Sequence, residues 1–226
     1  MISTTVICCR PDRESAEADP TVRAALARCG PLEIAFVGRR PGKEIDPLLD
    51  GRLLVLGEDS DLAAVVLRLM RAERLKSVVV GFASDVSTAV TDLWSLPLGA
   101  AAVDLALGGD PDLVPIVRDD VGGVLVGIAS LSRIQGTVYV DENRVLSGSA
   151  AHLLVEPDTE KGLAVTVVPR RILAFGRRSR TFRGRAVQIG TVPTTVIRDG
   201  RPFDRAMDRW TFYKHTEPLR LVRGVL

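Results

Sequence analysis

Short apolar runs separated by helical patterns fill the first half of the chain, and a period of two dominates the second. Residues 4–8, Thr-Thr-Val-Ile-Cys, form an apolar run of strand length. Asp19 before Pro20 has the chemistry of an N-cap and a first helical residue, and Val22, Ala25, Leu26 and Cys29 then recur at helical spacing until Gly30. A second strand is expected over 32–37. Asp46 and Pro47 repeat the capping signal ahead of a short helical turn ending near Gly51, and 53–56 is a buried-type strand running straight into Gly57. The spacing predicts a helix over 61–74, with Leu62, Val65, Val66, Leu69 and Met70 as its core stripe. A fourth strand, 77–80, ends at Gly81. Residues 84–94 are helix-compatible ahead of Pro97, and 100–107 is a further short helix closed by Gly108 and Gly109.

From there the pattern reads as successive hairpins. Residues 114–118 and 124–128 flank Asp-Val-Gly-Gly, 137–140 and 144–146 flank Asp-Glu-Asn, and 152–155 and 163–168 flank an acidic turn ending in Gly162. Strands over 185–189, 195–198, 211–214 and 219–222 follow, with Asp199-Gly200 as a strong turn. Alternating strands and helices imply a mostly parallel sheet, and strands alone imply antiparallel pairing. The chain is therefore expected to hold an α/β N-terminal domain with an open, mostly parallel sheet and an all-β, antiparallel, sandwich-like C-terminal domain. The change of period near 108–112 sets their limits at 1–110 and 111–226.

The apolar fraction, 46% of 226 residues, is enough for a core in each part. No apolar run approaches the roughly 18 residues that span a bilayer, and the start of the chain lacks the pattern of a secretion signal. A cytoplasmic protein is the expectation. Cys8 and Cys9 are adjacent in a strand and Cys29 is on a helix face, a spacing that suits small buried hydrophobes better than a disulfide framework or a metal site. His152 and His215, the only histidines, have no cysteine or second histidine at ligand spacing. The net charge of +2 conceals an asymmetry: from Pro169 onward fourteen Lys and Arg face four Asp and Glu. Such a basic end suits an anionic partner, either a lipid headgroup surface or a polyanion, or is a solvated arginine-rich sheet face.

In an open α/β sheet, ligands bind beyond the C-terminal ends of the strands, where helix N-termini present free N–H groups. Gly57 to Asp61 is such a turn. The string from Val55 to Val66, with Gly57-Glu58-Asp59-Ser60-Asp61-Leu62 at its centre, resembles the Gly-Gly-Asp-Gly-Thr motif, followed by Leu-Asn-Glu-Val, of diacylglycerol kinases, bacterial lipid kinases and the related NAD kinases. By position Gly57 matches the first glycine, Asp59 the aspartate and Leu62 the leucine; Glu58, Ser60 and Asp61 replace the second glycine, the third glycine and the threonine. Ala83-Ser84-Asp85-Val86-Ser87-Thr88-Ala89 stands where the family has its second phosphate segment, and Leu93 to Pro97 resembles the Leu-x-x-Pro that ends it. Ile116 to Asp120 resembles the first strand of the lipid domain, and Arg183 to Arg223 looks like the C-terminal end of actinobacterial lipid-kinase-like proteins.

The resemblance implies ATP and Mg2+ as cofactors and transfer of the γ-phosphate to a lipid hydroxyl. It implies nucleotide contacts at Gly57, Glu58, Ser60, Asp61, Asp85, Ser87 and Thr88, and a catalytic and metal-binding role for Asp59. Glu160, in Glu160-Lys161-Gly162-Leu163, matches the aspartate turn that supplies the general base; the same residues also read as a polar hairpin turn. The departures matter physically. Glu58 and Asp61 bring carboxylates to a polyphosphate turn, and the missing glycines remove close backbone approach. A non-catalytic descendant, a pseudoenzyme that binds a ligand, lipid or partner through the same cleft or the basic end, is the alternative. Asp119 and Asp120 have metal-binding chemistry, but Val-Gly-Gly after them fits a hairpin turn, which we adopt. Arg177, Arg178, Arg180, Arg183 and Arg185, with Phe175 and Phe182 interleaved, suit phosphate or an anionic bilayer met peripherally. No nucleic-acid module accompanies them, which argues against nucleic acid. A homodimer is left open.

Overall fold

The apolar runs of the first half become β1 (Thr4–Cys8), β2 (Ile34–Phe36), β3 (Arg52–Leu56) and β4 (Val79–Ala83), with α1 (Arg13–Ala18), α2 (Pro20–Cys29), α3 (Asp59–Arg71), α4 (Ala89–Leu93) and α5 (Ala100–Gly108) between and after them. A computed structural model of the chain describes residues 4–10, 12–29, 34–170 and 178–224. Gly30, the first two residues of the expected second strand, Phe175 and Arg177 lie outside the described residues. Asp19 performs the capping expected of it, its carboxylate accepting from the N–H of Thr21 at 2.7 Å. The Asp46-Pro47 signal falls within a 3-10 helix, Lys43–Leu48.

Gly81 does not end a strand. β4 continues through it, and a Cβ there would lie 2.4 Å from the Cβ of Ala106, so the glycine is where α5 packs onto the sheet. The expected strand over 114–118 is two strands in different sheets, β5 (Pro111–Val114) and β6 (Val117–Asp119). Pro115, which has no N–H to give a ladder, separates them.

The second half contributes β7 (Val124–Leu125), β8 (Ala129–Val140), β9 (Asn143–Asp158), β10 (Gly162–Val168), β11 (Arg180–Gly184), β12 (Ala186–Thr194), β13 (Val196–Arg198), β14 (Arg201–Pro202) and β15 (Met207–Lys214). With β6 they form one antiparallel sheet in the order β11-β10-β9-β8-β12-β15-β6-β7, with β13 pairing the start of β8 and β14 pairing β13. On β8 the core-facing positions are Ala129 and Leu131, then Ile134, Val138 and Val140. The parity changes around Arg133, whose φ is +56°, and β9 changes parity between Ala150 and Leu153. A parity change of this kind re-aims a strand, so one sheet covers one core from several sides. Trp210 is at the centre of that core, edge-on to Phe203 at 5.0 Å and stacked with Phe212 at 5.9 Å.

The last strand, β16 (Leu219–Val222), leaves the second half and pairs parallel to β4 and antiparallel to β5. The first sheet therefore runs β2-β1-β3-β4-β16-β5 and is parallel except at β5. By internal contacts the chain divides into one unit of Met1–Val114 with Glu217–Leu226 and a second of Pro115–Thr216. Strand order reverses at β1, which has β2 on one side and β3 on the other, so the crevice-forming switch point is at the C-terminal ends of β1 and β3.

Candidate functional site

β3 delivers the chain to Gly57 at this switch point, and α3 begins two residues later, at Asp59 and not at Asp61. Glu58 is the N-cap, with extended backbone, and Asp61 is the third helical residue. That shift of two residues decides the site. At this position the Asp61 carboxylate turns back over the first turn and accepts the N–H of Glu58 at 2.9 Å, the reciprocal half of a capping box. It also accepts the N–H of Arg40 at 2.8 Å and the Nε of Arg39 at 2.9 and 3.1 Å. Asp61 is wholly buried. The Arg39 guanidinium also pairs with Glu58, and that pairing above all, with help from Asp61, holds it even more firmly protonated than usual.

Gly57 is needed here for space. A Cβ on it would lie 2.7 Å from the Asp61 carboxylate, so the slot beside the turn is filled by a side chain of the chain itself. The loop after β2, Gly38-Arg39-Arg40-Pro41-Gly42, completes the arrangement, with Gly38 and Arg40 both at positive φ. Sequence reasoning missed this loop. Its signal was a pair of arginines, bracketed by glycines, directly after an expected parallel strand.

Asp59 is 7% exposed and faces the start of α4. One of its oxygens accepts the N–H of Val90 at 3.2 Å; the other, and the buried hydroxyl of Ser60, have no partner among the described residues. Burial pushes the Asp59 carboxyl above the usual carboxylate range, opposed by the Thr88 hydroxyl and the N–H groups of Val90 and Ala89. The two segments singled out in the sequence thus meet at Asp59 and Thr88. Thr88 itself caps α4, its hydroxyl accepting the N–H of Thr91 at 3.2 Å. Ser87 donates to Asp92 at 2.6 Å, and Asp85 is exposed. At the end of β1, Cys8 and Cys9 are fully buried; desolvation pushes the Cys8 thiol up to about 11 and the Cys9 thiol higher still, so both stay protonated at neutral pH.

In the second unit Glu160 is in the turn between β9 and β10, with its side chain 70% exposed and 3.6 Å from Arg183. Asp158 takes the shorter bond from Arg183, at 2.9 Å, and the N–H of Lys161 at the same distance. Asp119 and Asp120 diverge. Asp119 is buried, accepts the N–H groups of Val121 and Gly123 at 3.1 and 2.6 Å and pairs with Arg198, whereas Asp120 is exposed. Arg180 stacks over Phe182 at 5.0 Å, and Arg178 and Arg185 are exposed. Among the described residues no three His, Cys, Asp or Glu side chains gather as a metal site, and no helix is long and apolar enough to cross a membrane.

By sequence no family model and no curated protein matches the chain. By structure it is similar to a diacylglycerol kinase from Bacillus anthracis str. Sterne, with a TM-score of 0.68 at 11% identity over 99% of this chain and 97% of that one. It is similar to an NAD kinase from Archaeoglobus fulgidus, solved in complex with ATP, with a TM-score of 0.60 at 15% identity over 97% and 93% of the two chains. Yeast NADH kinase, solved with NADH, gives 0.55 at 10% identity over 99% and 84%. A parallel α/β sheet joined to a large antiparallel sheet, with this end-to-end correspondence, is the two-domain fold that diacylglycerol kinases and NAD kinases share, and this chain has that fold.

Proposed function

We propose that the chain is a diacylglycerol-kinase-like protein in which ATP-dependent phosphorylation of a lipid hydroxyl has been lost, and that the fold now serves to bind a ligand, lipid or partner. The observation that carries this reading is the Asp61 carboxylate on the N–H groups of Glu58 and Arg40 and on the Arg39 guanidinium. A polyphosphate on this turn needs those donors and the space beside Gly57, and Asp61 has both. The ATP phosphates therefore do not fit the donors and the space at this turn. A phosphate forced to about 4 Å from either carboxylate would meet a repulsion on the order of 4 kcal/mol at an effective dielectric of about 20. With no polyphosphate on the turn, the exposed Glu160 has no reaction to serve as base, and its setting is that of a solvent-facing turn residue.

One feature favours the second reading, a surviving lipid kinase: Asp59 keeps a buried carboxylate oxygen without a partner among the described residues, the kind of atom that a metal or substrate donor would engage. Melting the protein with about 5 mM ATP and magnesium separates the two. Non-catalytic binding predicts no rise in melting temperature and no phosphatidate from diacylglycerol vesicles. A rise of several degrees that disappears in Asp59→Ala, with phosphatidate formed, would replace this reading by the second.

A further inference from the structure

We propose that Asp61 is a built-in stand-in for a phosphate group, and that the turn it closes is an oxyanion site that opens when this one carboxylate is removed. The inference rests on the reading of the turn as a pre-empted phosphate loop, and it adds that the machinery for an anion is intact beneath Asp61.

The donors come from two separate segments. Glu58 offers its N–H from the first turn of α3, a helix of 13 residues whose N-terminus favours negative charge. Arg40 offers its N–H, and Arg39 its guanidinium, from the loop after β2. Two backbone donors and a guanidinium around one carboxylate match what a phosphate takes from a loop and an arginine. An anion on these donors is thus visible in the structure, and it happens to be covalently part of the chain. The three atoms nearest to a Cβ placed on Gly57, at 2.7 to 3.2 Å, all belong to Asp61, so shortening Asp61 relieves the contacts that crowd that side of the turn. The hydroxyl of Ser60, in the same turn, is 5% exposed and without a partner among the described residues.

Asp61→Ala removes the stand-in and leaves the two N–H donors and the Arg39 guanidinium, which the phosphate then shares with Glu58. Asp61→Asn keeps the slot filled and serves as the control. The test is the melting temperature of the full chain in inorganic phosphate against chloride at equal ionic strength. In about 20 mM phosphate, Asp61→Ala is expected to gain roughly 3 °C over its value in chloride, while wild type and Asp61→Asn gain nothing. Formate, which carries the same carboxylate as the missing side chain, is expected to act in the same direction. If Asp61→Ala does not fold in chloride, its refolding yield in phosphate is the readout, and recovery of the native circular dichroism spectrum is expected. A folded Asp61→Ala indifferent to phosphate, or an unfolded one that phosphate does not recover, overturns the proposal. Stabilisation of wild type by ATP would instead strike the functional reading itself, so the two failures are distinguishable.

Discussion

Removing Arg39 tests whether the Asp61 carboxylate depends on its guanidinium or is held by backbone alone. Asp61 is fully buried and the Arg39 side chain is 32% exposed. Breaking a buried ion pair from one side costs about 3–5 kcal/mol when the remaining charge is stranded. Here two N–H donors remain on Asp61, and water can enter where the exposed part of Arg39 stood, so Arg39→Ala is expected to cost about 2 kcal/mol. For 226 residues, with an unfolding entropy of about 2.1 cal/mol/K per residue, that is a fall of about 4 °C in melting temperature. Arg39→Lys keeps the charge but not the two-pronged contact, and should cost about half as much. The assay is a double-mutant cycle in urea with Arg39→Ala, Asp61→Ala and the pair, read as midpoint and slope. A coupling of about 1–2 kcal/mol is expected. A coupling below about 0.3 kcal/mol would show that the backbone alone seats Asp61, and the description of the turn as an anion on a guanidinium would be wrong.

Asp59 supplies a pH-dependent prediction. A carboxyl raised in the folded state contributes stability that is present below its unfolded value, 3.8, and is lost as pH rises through the folded value, so at neutral pH the buried carboxylate is a burden. Asp59→Asn should therefore melt above wild type at pH 7, by an amount on the order of 1 kcal/mol, with the gap closing as pH falls toward 4. A variant less stable than wild type at both pH values would mean that the charge is needed to cap α4. Gly136 tests the second unit: a Cβ there would lie 2.0 Å from the carbonyl oxygen of Gly190, so Gly136→Ala must push β8 and β12 apart and should cost more than about 3 kcal/mol in urea denaturation. A near-native midpoint would place those strands farther apart than described.

Much of the fold was legible because it follows from local rules. The run Thr4–Cys8 and the run ending at Leu56 are strands because apolar residues of strand length, bounded by a cap signal or a glycine, have no better way to be buried. The antiparallel second half follows from the period of two and from turns such as Asp199-Gly200, where both residues have positive φ. The segments 57–61 and 83–89 were also legible as turns at strand ends, although the structure carries 59–61 into α3 and Ala89 into α4. What escaped was what their side chains touch. Asp61 read as the first residue of a helix, and only the start of α3 two residues earlier turns its carboxylate back onto Glu58, Arg39 and Arg40.

Local pattern alone was enough to locate most of the strands and helices and the change of period, and to show carboxylates where a phosphate loop would have glycines. Three features waited on long-range packing: β16 leaves its hairpin neighbours for β4, Gly81 admits Ala106, and an arginine 22 residues away in the chain meets Asp61. The reason is that periodicity records only which face of an element is buried. Partner choice is settled by packing between segments far apart in the chain, and the apolar pattern of Leu219–Val222 would suit either sheet.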